Sequence, residues 1–162
     1  AEEATLRAIR DGMSLHLVGK GICFTVPLSG ASTIVANALQ RSAAEAEKNG
    51  GKKVKTNREY SLIVTAMQKG FTEEAMEAAR QAGAAGGTVI HAKGTGMEGA
   101  EKFLGISLAA EKEMIYIVVH RDKRNDIMSA IMRDAGMASK AKSICFTLPV
   151  SATAGLRLIE ED

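Results

Sequence analysis

The chain has 162 residues, of which 46% are apolar and 25% charged. This is the profile of a soluble globular protein with one real core, or one domain and part of another. The formal net charge is only +2, and no basic patch with interleaved aromatic residues appears, so we expect no nucleic-acid binding. The apolar runs are far shorter than the ~20 residues of a membrane helix. No signal peptide is visible either, so we expect a cytoplasmic protein without membrane insertion.

Cysteine and histidine usage gives no sign of a metal site. Cys23 and Cys145 occupy equivalent positions in two predicted strands, and each is followed by Phe-Thr. They show neither metal-ligand spacing nor a framework of bridges, which favours a reduced compartment. The histidines are also too widely spaced to be ligands, so no metal is predicted. Because no nucleophile–base constellation is present, we expect that the protein is not an enzyme.

The first part of the chain predicts a helix, a strand and a linker. Residues 1–11 form the helix, and residues 22–26 form a strand that Pro27 ends, because proline lacks a donor for the ladder. Residues 30–58 are polar and rich in Ala, Gly and Lys. Such a composition is typical of a linker that is partly helical or disordered.

From residue 59 onwards the sequence predicts alternating strands and helices. Thr72 is the expected N-cap of the first of these helices. The predicted elements, in order, are strand 60–67, helix 72–82, a strand between two glycine pairs, strand 114–119, helix 123–135 and strand 144–148, which Pro149 closes. This β-α-β-β-α-β order predicts an α+β, ferredoxin-like sandwich, with an antiparallel sheet and helices on one face. Strands that are apolar on both faces must be buried on both. Because the predicted helices cover only one face of the sheet, we expect the other face to pack against further copies of the chain in an oligomer.

Glycine pairs flank the predicted strand at 88–93. Gly86 and Gly87 precede this strand, and Gly94 and Gly96 follow it. Glycine allows backbone angles and close approaches that a Cβ forbids. The pairs therefore predict either two tight turns or a cradle for a ligand such as phosphate.

A short sequence repeat links the two ends of the chain. Residues 21–29 (GICFTVPLS) match residues 143–151 (SICFTLPVS), and both copies follow a loop with lysine. We interpret 1–29 as the C-terminal part of a first repeat, and 59–162 as a complete second repeat. Alternatively, the short repeat is complete and adds its strand to the sheet of a partner. In either case the strand at 22–26 needs a partner edge.

The run G-x-x-G-x-T-V followed by K-G-x-G, at 83–89 and 93–96, resembles the nitrogen regulatory PII family. The order of elements from Tyr60 onwards is also similar to that family. So are two short sequences, Arg121-Asp122 and the Phe-Thr-Leu-Pro-Val at 146–150. The resemblance implies a trimer (or a pseudo-trimer through the repeats) with nucleotide clefts between subunits. It also implies a mobile loop, here 95–111, that contacts a client protein.

Carried over by position, the resemblance implies a set of nucleotide-binding residues. Gly86, Gly87 and Thr88 then lie near an adenine, Gly94 and Gly96 flank the base of the loop, and Arg157 contacts phosphate. The family's phosphate loop, roughly G-D-G-K, is not kept before the last strand, where Ala141-Lys142-Ser143 stands. Instead, a composite site can be built from basic and glycine residues of both repeats: Gly19, Lys20, Gly21, Lys140 and Lys142.

Two functional hypotheses follow from these patterns. The first is a non-enzymatic PII-like regulator that senses an adenine nucleotide (ATP or ADP) or another small anion and signals through loop 95–111. The alternative is a CutA-like structural or metal-binding trimer that binds no nucleotide. Calorimetry with adenine nucleotides and a metal titration distinguish the two.

Overall fold

The computed structural model describes residues 2–17, 20–27, 59–94, 102–103, 106–107 and 111–156. The chain divides into two compact units: residues 1–59 with 149–156, and residues 60–148 with 157–162. The predicted linker 30–58, most of the predicted loop 95–111 and the predicted site residues Gly19, Gly96 and Arg157 lie outside the described residues.

The first unit combines a helix with a two-stranded sheet. Helix α1 spans Glu2–Gly12, and strand β1, Cys23–Thr25, pairs antiparallel with β8, Ala152–Ala154. Thus β1 has the partner edge that the repeat requires, and the partner follows the second copy of the repeat. Leu6, Leu15 and Val150 are buried in this unit.

A carboxylate joins α1 to the two strands. The hydroxyls of Thr25 and Ser151 both donate to Oε1 of Glu2, the latter over 2.7 Å. The backbone N–H of Ser151 also donates to the Thr25 carbonyl, over 3.0 Å. These bonds hold the start of α1 on the strand pair, which is too small a sheet to be stable alone.

The second unit is an α+β, ferredoxin-like sandwich, as predicted. Its four-stranded sheet has the order β3-β6-β2-β7, and β6 pairs antiparallel with both β2 and β3. The unit's elements, in chain order, are β2 (Tyr60–Gln68), α2 (Thr72–Gln81), β3 (Thr88–Lys93), β6 (Glu111–His120), α3 (Arg124–Ala135) and β7 (Ile144–Val150, whose last two residues belong to the first unit). Between β3 and β6, β4 (Lys102–Phe103) pairs with β5 (Ile106–Ser107).

Both helices of this unit pack on one face of the sheet. Alternate strand residues such as Ile63, Ile115 and Ile117 form the core with Met76 and Ile127, all at most 5% exposed. The period-2 pattern of strands and the apolar stripe of each helix produce this layer. The core therefore lies between sheet and helices, and the strand ends remain at the surface.

Three local expectations were wrong. Thr72 is the first residue of α2 rather than its N-cap, which is Phe71 and makes no side-chain capping bond. Pro149 does not close β7, which continues to Val150. In the described sheet β7 is an edge strand, where a missing donor is tolerated. Strand β6 begins at Glu111, three residues before the predicted start.

The sheet's second face is only partly open. Leu62, Val64 and Val118 lie on this face and are already buried in the single chain. Exposure is concentrated at the edges, on Ile90 of β3 and on Ile144, Phe146 and Leu148 of β7. These three β7 residues point away from the helices, because Cys145 between them packs on the core.

Candidate functional site

Several strand ends of the second unit meet at one edge of the sheet, the edge formed by the ends of β2 and β3 and the starts of β6 and β7. Lys93 at the end of β3 pairs with Glu111 at the start of β6, and Gln68 at the end of β2 pairs with Lys112. The backbone N–H of Gln68 also donates to the carbonyl of Ala141, over 2.9 Å. This bond places the loop with Lys140 and Lys142 at the same edge.

A cavity of about 360 Å³ opens at this edge. Among the described residues, its lining contains three lysines, one histidine and one carboxylate: Lys69, Lys93, Lys112, His91 and Glu111, with Ala92. Cations therefore outnumber acids in the lining. Lysine ammonium groups are strongly hydrated point charges that bind phosphate and carboxylate, so the arrangement suits a small anion.

Two acids of the described residues, Glu111 and Glu113, lie beside this cavity, and each has a partner. Lys69 Nζ lies 2.6 Å from Oε2 of Glu111, and this contact, reinforced by Lys93 and His91, lowers the pKa of the carboxyl below its usual range. Glu113 is nearly buried, with 8% of its side chain exposed. It accepts a bond of 3.0 Å from the N–H of Gly70, and its other oxygen lies 3.4 Å from Nδ1 of His91.

The predicted adenine-side residues lie at the other end of β3. Gly86 and Thr88 are exposed, and Thr88 pairs with Tyr116. Lys93 lies five positions after Thr88, which is about 17 Å along a strand. Gly87 has a packing reason to be glycine: a Cβ there would lie 2.9 Å from both Ile115 Cγ2 and Met76 Sδ.

The loop before β7 satisfies several of its own backbone donors. Ser139 N–H donates to Gly136, Ala141 N–H to the Ser139 hydroxyl, and Ser143 N–H to Ala135. These three amides are not available as a phosphate cradle. Lys140 and Lys142 remain exposed, and Lys142 has a positive φ of 47°.

The remaining predicted site residues divide between the two units. Gly94 follows β3 and is half-buried beside the cationic edge. Lys20 and Gly21 are exposed in the first unit, where Gly21 has a φ of +114°. The structure therefore groups Gly94, Lys140 and Lys142 at one edge and sets Gly86, Gly87 and Thr88 apart from them.

A second cavity of about 730 Å³ lies between the end of α2 and the start of α3. Its lining is mixed in charge, with Arg80, Lys123, Asp122 and Asp126 among small apolar residues. None of the predicted site residues that the structure describes lines either cavity. Within the described residues no three His, Cys, Asp or Glu side chains gather as a metal site, and no helix there is long and apolar enough to cross a membrane.

The fold and the edge site together define a ferredoxin-like domain with a cationic surface cavity where its strands end. Residues 61–160 match the family model described as nitrogen regulatory protein P-II. The chain belongs to this family of signal-transduction regulators, whose members are typically trimeric and bind adenine nucleotides.

The comparison with solved structures finds 125 matching chains. A similar solved structure is Arabidopsis thaliana PII bound to citrate, which is 19% identical, with 59% of this chain and 78% of that chain covered and a TM-score of 0.46. No curated protein matches significantly. Neither the fold nor the comparisons favour the CutA-like alternative.

Proposed function

We propose that the protein is a non-enzymatic PII-type regulator in the cytoplasm. It senses an adenine nucleotide, ATP or ADP, or another small anion, and it transmits binding to a client protein through loop 95–111. Ligand binding shifts the population of the signalling conformation only to the extent that the two conformations differ in affinity. The proposal therefore needs an anion site beside the loop.

The cationic cavity at the end of β3 carries this proposal. Lys93 and Lys112 line it on adjacent strands, and residues 95–110 connect those strands. An anion that Lys93 binds on the face it shares with Glu111 thus lies at the base of the loop. Hydrogen bonds to charged groups are stronger than neutral ones, at roughly 1.5–3 kcal/mol, so contacts from Lys69 and Lys93 account for useful affinity.

The loop before β7 supports a role for side-chain cations. The amides of Ser139, Ala141 and Ser143 are already bonded within the loop. Lys140 and Lys142 project from the same loop at the same sheet edge, and they balance phosphate charge as point cations. In this proposal the nucleoside end of the ligand lies beside Gly86, Gly87 and Thr88. Lys20 and Gly21 belong to the corresponding site of the first repeat.

Isothermal calorimetry with ATP, ADP, AMP and inorganic phosphate tests the proposal. Substituting Lys93→Gln removes one charged contact and should weaken binding about tenfold. The matched control is Lys123→Gln, which removes the same charge from the other cavity and should bind like the parent. Absence of heat with all four compounds at high protein concentration would overturn the proposal.

The nucleotide and the bare anion can be separated in the same experiment. If an adenine nucleotide is the ligand, Thr88→Val should weaken ATP but leave inorganic phosphate unaffected. If both compounds bind equally to the parent and to Thr88→Val, the site recognises the phosphate group alone. A change in the protease sensitivity of residues 95–111 on binding would link the site to signalling.

A further inference from the structure

The anion site proposed above contains an acid of its own. Glu111 lines the cavity together with Lys69, Lys93 and Lys112, and its carboxylate lies 2.6 Å from the Lys69 ammonium. It is also the direct cross-strand partner of Lys93, in the last pair of the β3–β6 ladder. Two of the cavity's lysines are thus already engaged by this acid, Lys69 in direct contact and Lys93 as its cross-strand neighbour.

Two observations show that the Glu111 carboxylate interacts with the cations of the cavity in the way that a bound anion would. Its pKa is lowered first by the hydrogen bond from Lys69 and further by Lys93 and His91, all of which line the cavity. The contact is also open to exchange, because 55% of the Lys69 side chain and 59% of the Glu111 side chain are exposed. Ion pairs with this exposure are screened and weak.

The neighbouring acid has a different role. Glu113 is nearly buried and accepts the backbone N–H of Gly70, which fixes the turn between β2 and α2. Among the described residues that line the cavity, His91 lies 3.4 Å from it, and none of the three lysines has an ion pair with it. Glu113 is therefore structural, and Glu111 is the acid that a ligand can displace.

We propose that Glu111 is an internal competitor for the anion site, and that a ligand must displace its carboxylate from Lys69 in order to bind. This inference rests on the proposed function of the same cavity. The competitor raises the concentration of anion at which the protein responds, because part of the binding free energy replaces an existing contact. Removing it should strengthen binding about two- to fivefold, which is the range of an exposed ion pair.

Calorimetry with inorganic phosphate and ATP, at one ionic strength, tests this inference on the whole chain. Glu111→Gln removes the competitor and should strengthen binding two- to fivefold. Glu111→Asp keeps the charge but is one methylene shorter, so it should also strengthen binding. Asp122→Asn makes the same change in net charge at the other cavity and should bind like the parent. Thermal melting of each variant confirms that it is folded.

Each outcome decides between the two proposals. Stronger binding by both Glu111 variants, with Asp122→Asn unchanged, supports the competitor. If Glu111→Gln and Asp122→Asn gain equally while Glu111→Asp binds like the parent, the effect is net charge and the competitor is rejected. If parent and Glu111 variants bind equally well, the competitor is rejected but the site stands. If the parent and all variants bind none of phosphate, ATP, ADP and AMP, the proposed function fails and the competitor fails with it.

Discussion

Gly87 lies so close to Ile115 that its backbone packs directly against the hydrophobic core. A Cβ on Gly87 would be 2.9 Å from Cγ2 of Ile115, 2.9 Å from Sδ of Met76 and 3.2 Å from Cγ1 of Ile117. The last two residues belong to the same core cluster as Ile115. The glycine therefore sets how closely the start of β3 approaches the helix-covered core.

The first prediction concerns this contact. Gly87→Ala forces well-packed core side chains to move, which typically costs about 1–3 kcal/mol. Gly86→Ala is the matched control, because nothing lies within 4 Å of its Cβ position, and it should leave stability nearly unchanged. Urea unfolding followed by circular dichroism measures both. Equal stability of the two variants would show that the close approach does not exist in solution.

A second prediction follows from the backbone of Lys142. Its φ of 47° is in the left-handed region, where a residue with a Cβ costs about 1–2 kcal/mol. Replacing it by glycine removes that cost but adds glycine's entropy in the unfolded chain, so we expect a net gain of about 0.5–1 kcal/mol. Lys140→Gly removes the same charge at a residue whose φ is not positive and should destabilise. Denaturant midpoints of the two variants should thus move in opposite directions.

The sequence alone predicts the helices and main strands of the second unit well. Apolar runs such as 60–67 and the helical stripe of 123–135 match β2 and α3 closely, because local pattern and burial agree there. Strand β8 was not predicted. Its sequence, Ala152-Thr153-Ala154, has no apolar alternation, and it forms a strand only because β1, more than a hundred residues earlier, pairs with it.

The cationic cavity could not be read from the sequence either. Lys69, Lys93 and Lys112 are each about twenty residues from the next, and single lysines on strand ends are usually solvated charges. Only the register, which pairs Lys93 with Glu111 and Gln68 with Lys112, brings these strand ends together. The predicted glycines, in contrast, were recognised because glycine spacing is a local signal. Of these glycines, Gly87 is explained by packing, and the ligand role of the others stays a prediction.

A third prediction concerns pH and Glu2. The hydroxyls of Thr25 and then Ser151 bond its carboxylate and lower its pKa from the ordinary 4.5. A carboxyl with a lowered pKa in the folded state contributes stability above its ordinary pKa and loses it as the pH falls through the lowered value. Wild type should therefore exceed Glu2→Gln in stability at pH 7, by at most about 1 kcal/mol for these partly exposed bonds.

The difference between wild type and Glu2→Gln should shrink as the pH falls below 4.5. Thermal unfolding at pH 7, 4 and 3 measures it. Glu3→Gln serves as control, because Glu3 makes only an exposed i,i+4 pair with Arg7, which contributes little. A pH-independent gap between wild type and Glu2→Gln would mean that the carboxylate does not hold α1 on the strands.

The last prediction concerns the apolar stripe on β7. Phe146 is 44% exposed on the face opposite the helices, between Ile144 at 54% and Leu148 at 37%. A row of exposed apolar side chains on an edge strand invites pairing with another chain, and we infer that this stripe lies in the interface of the proposed trimer. Phe146→Glu places a charge there and should shift the mass measured by light scattering from trimer to monomer.

Met132→Glu is the matched control, because Met132 is exposed to 37% on α3, on the helical side, and its variant should remain trimeric. A parent protein that is monomeric at high concentration would remove the interface altogether. Dissociation by both variants would place the contact elsewhere, since the two side chains lie on opposite layers of the same unit.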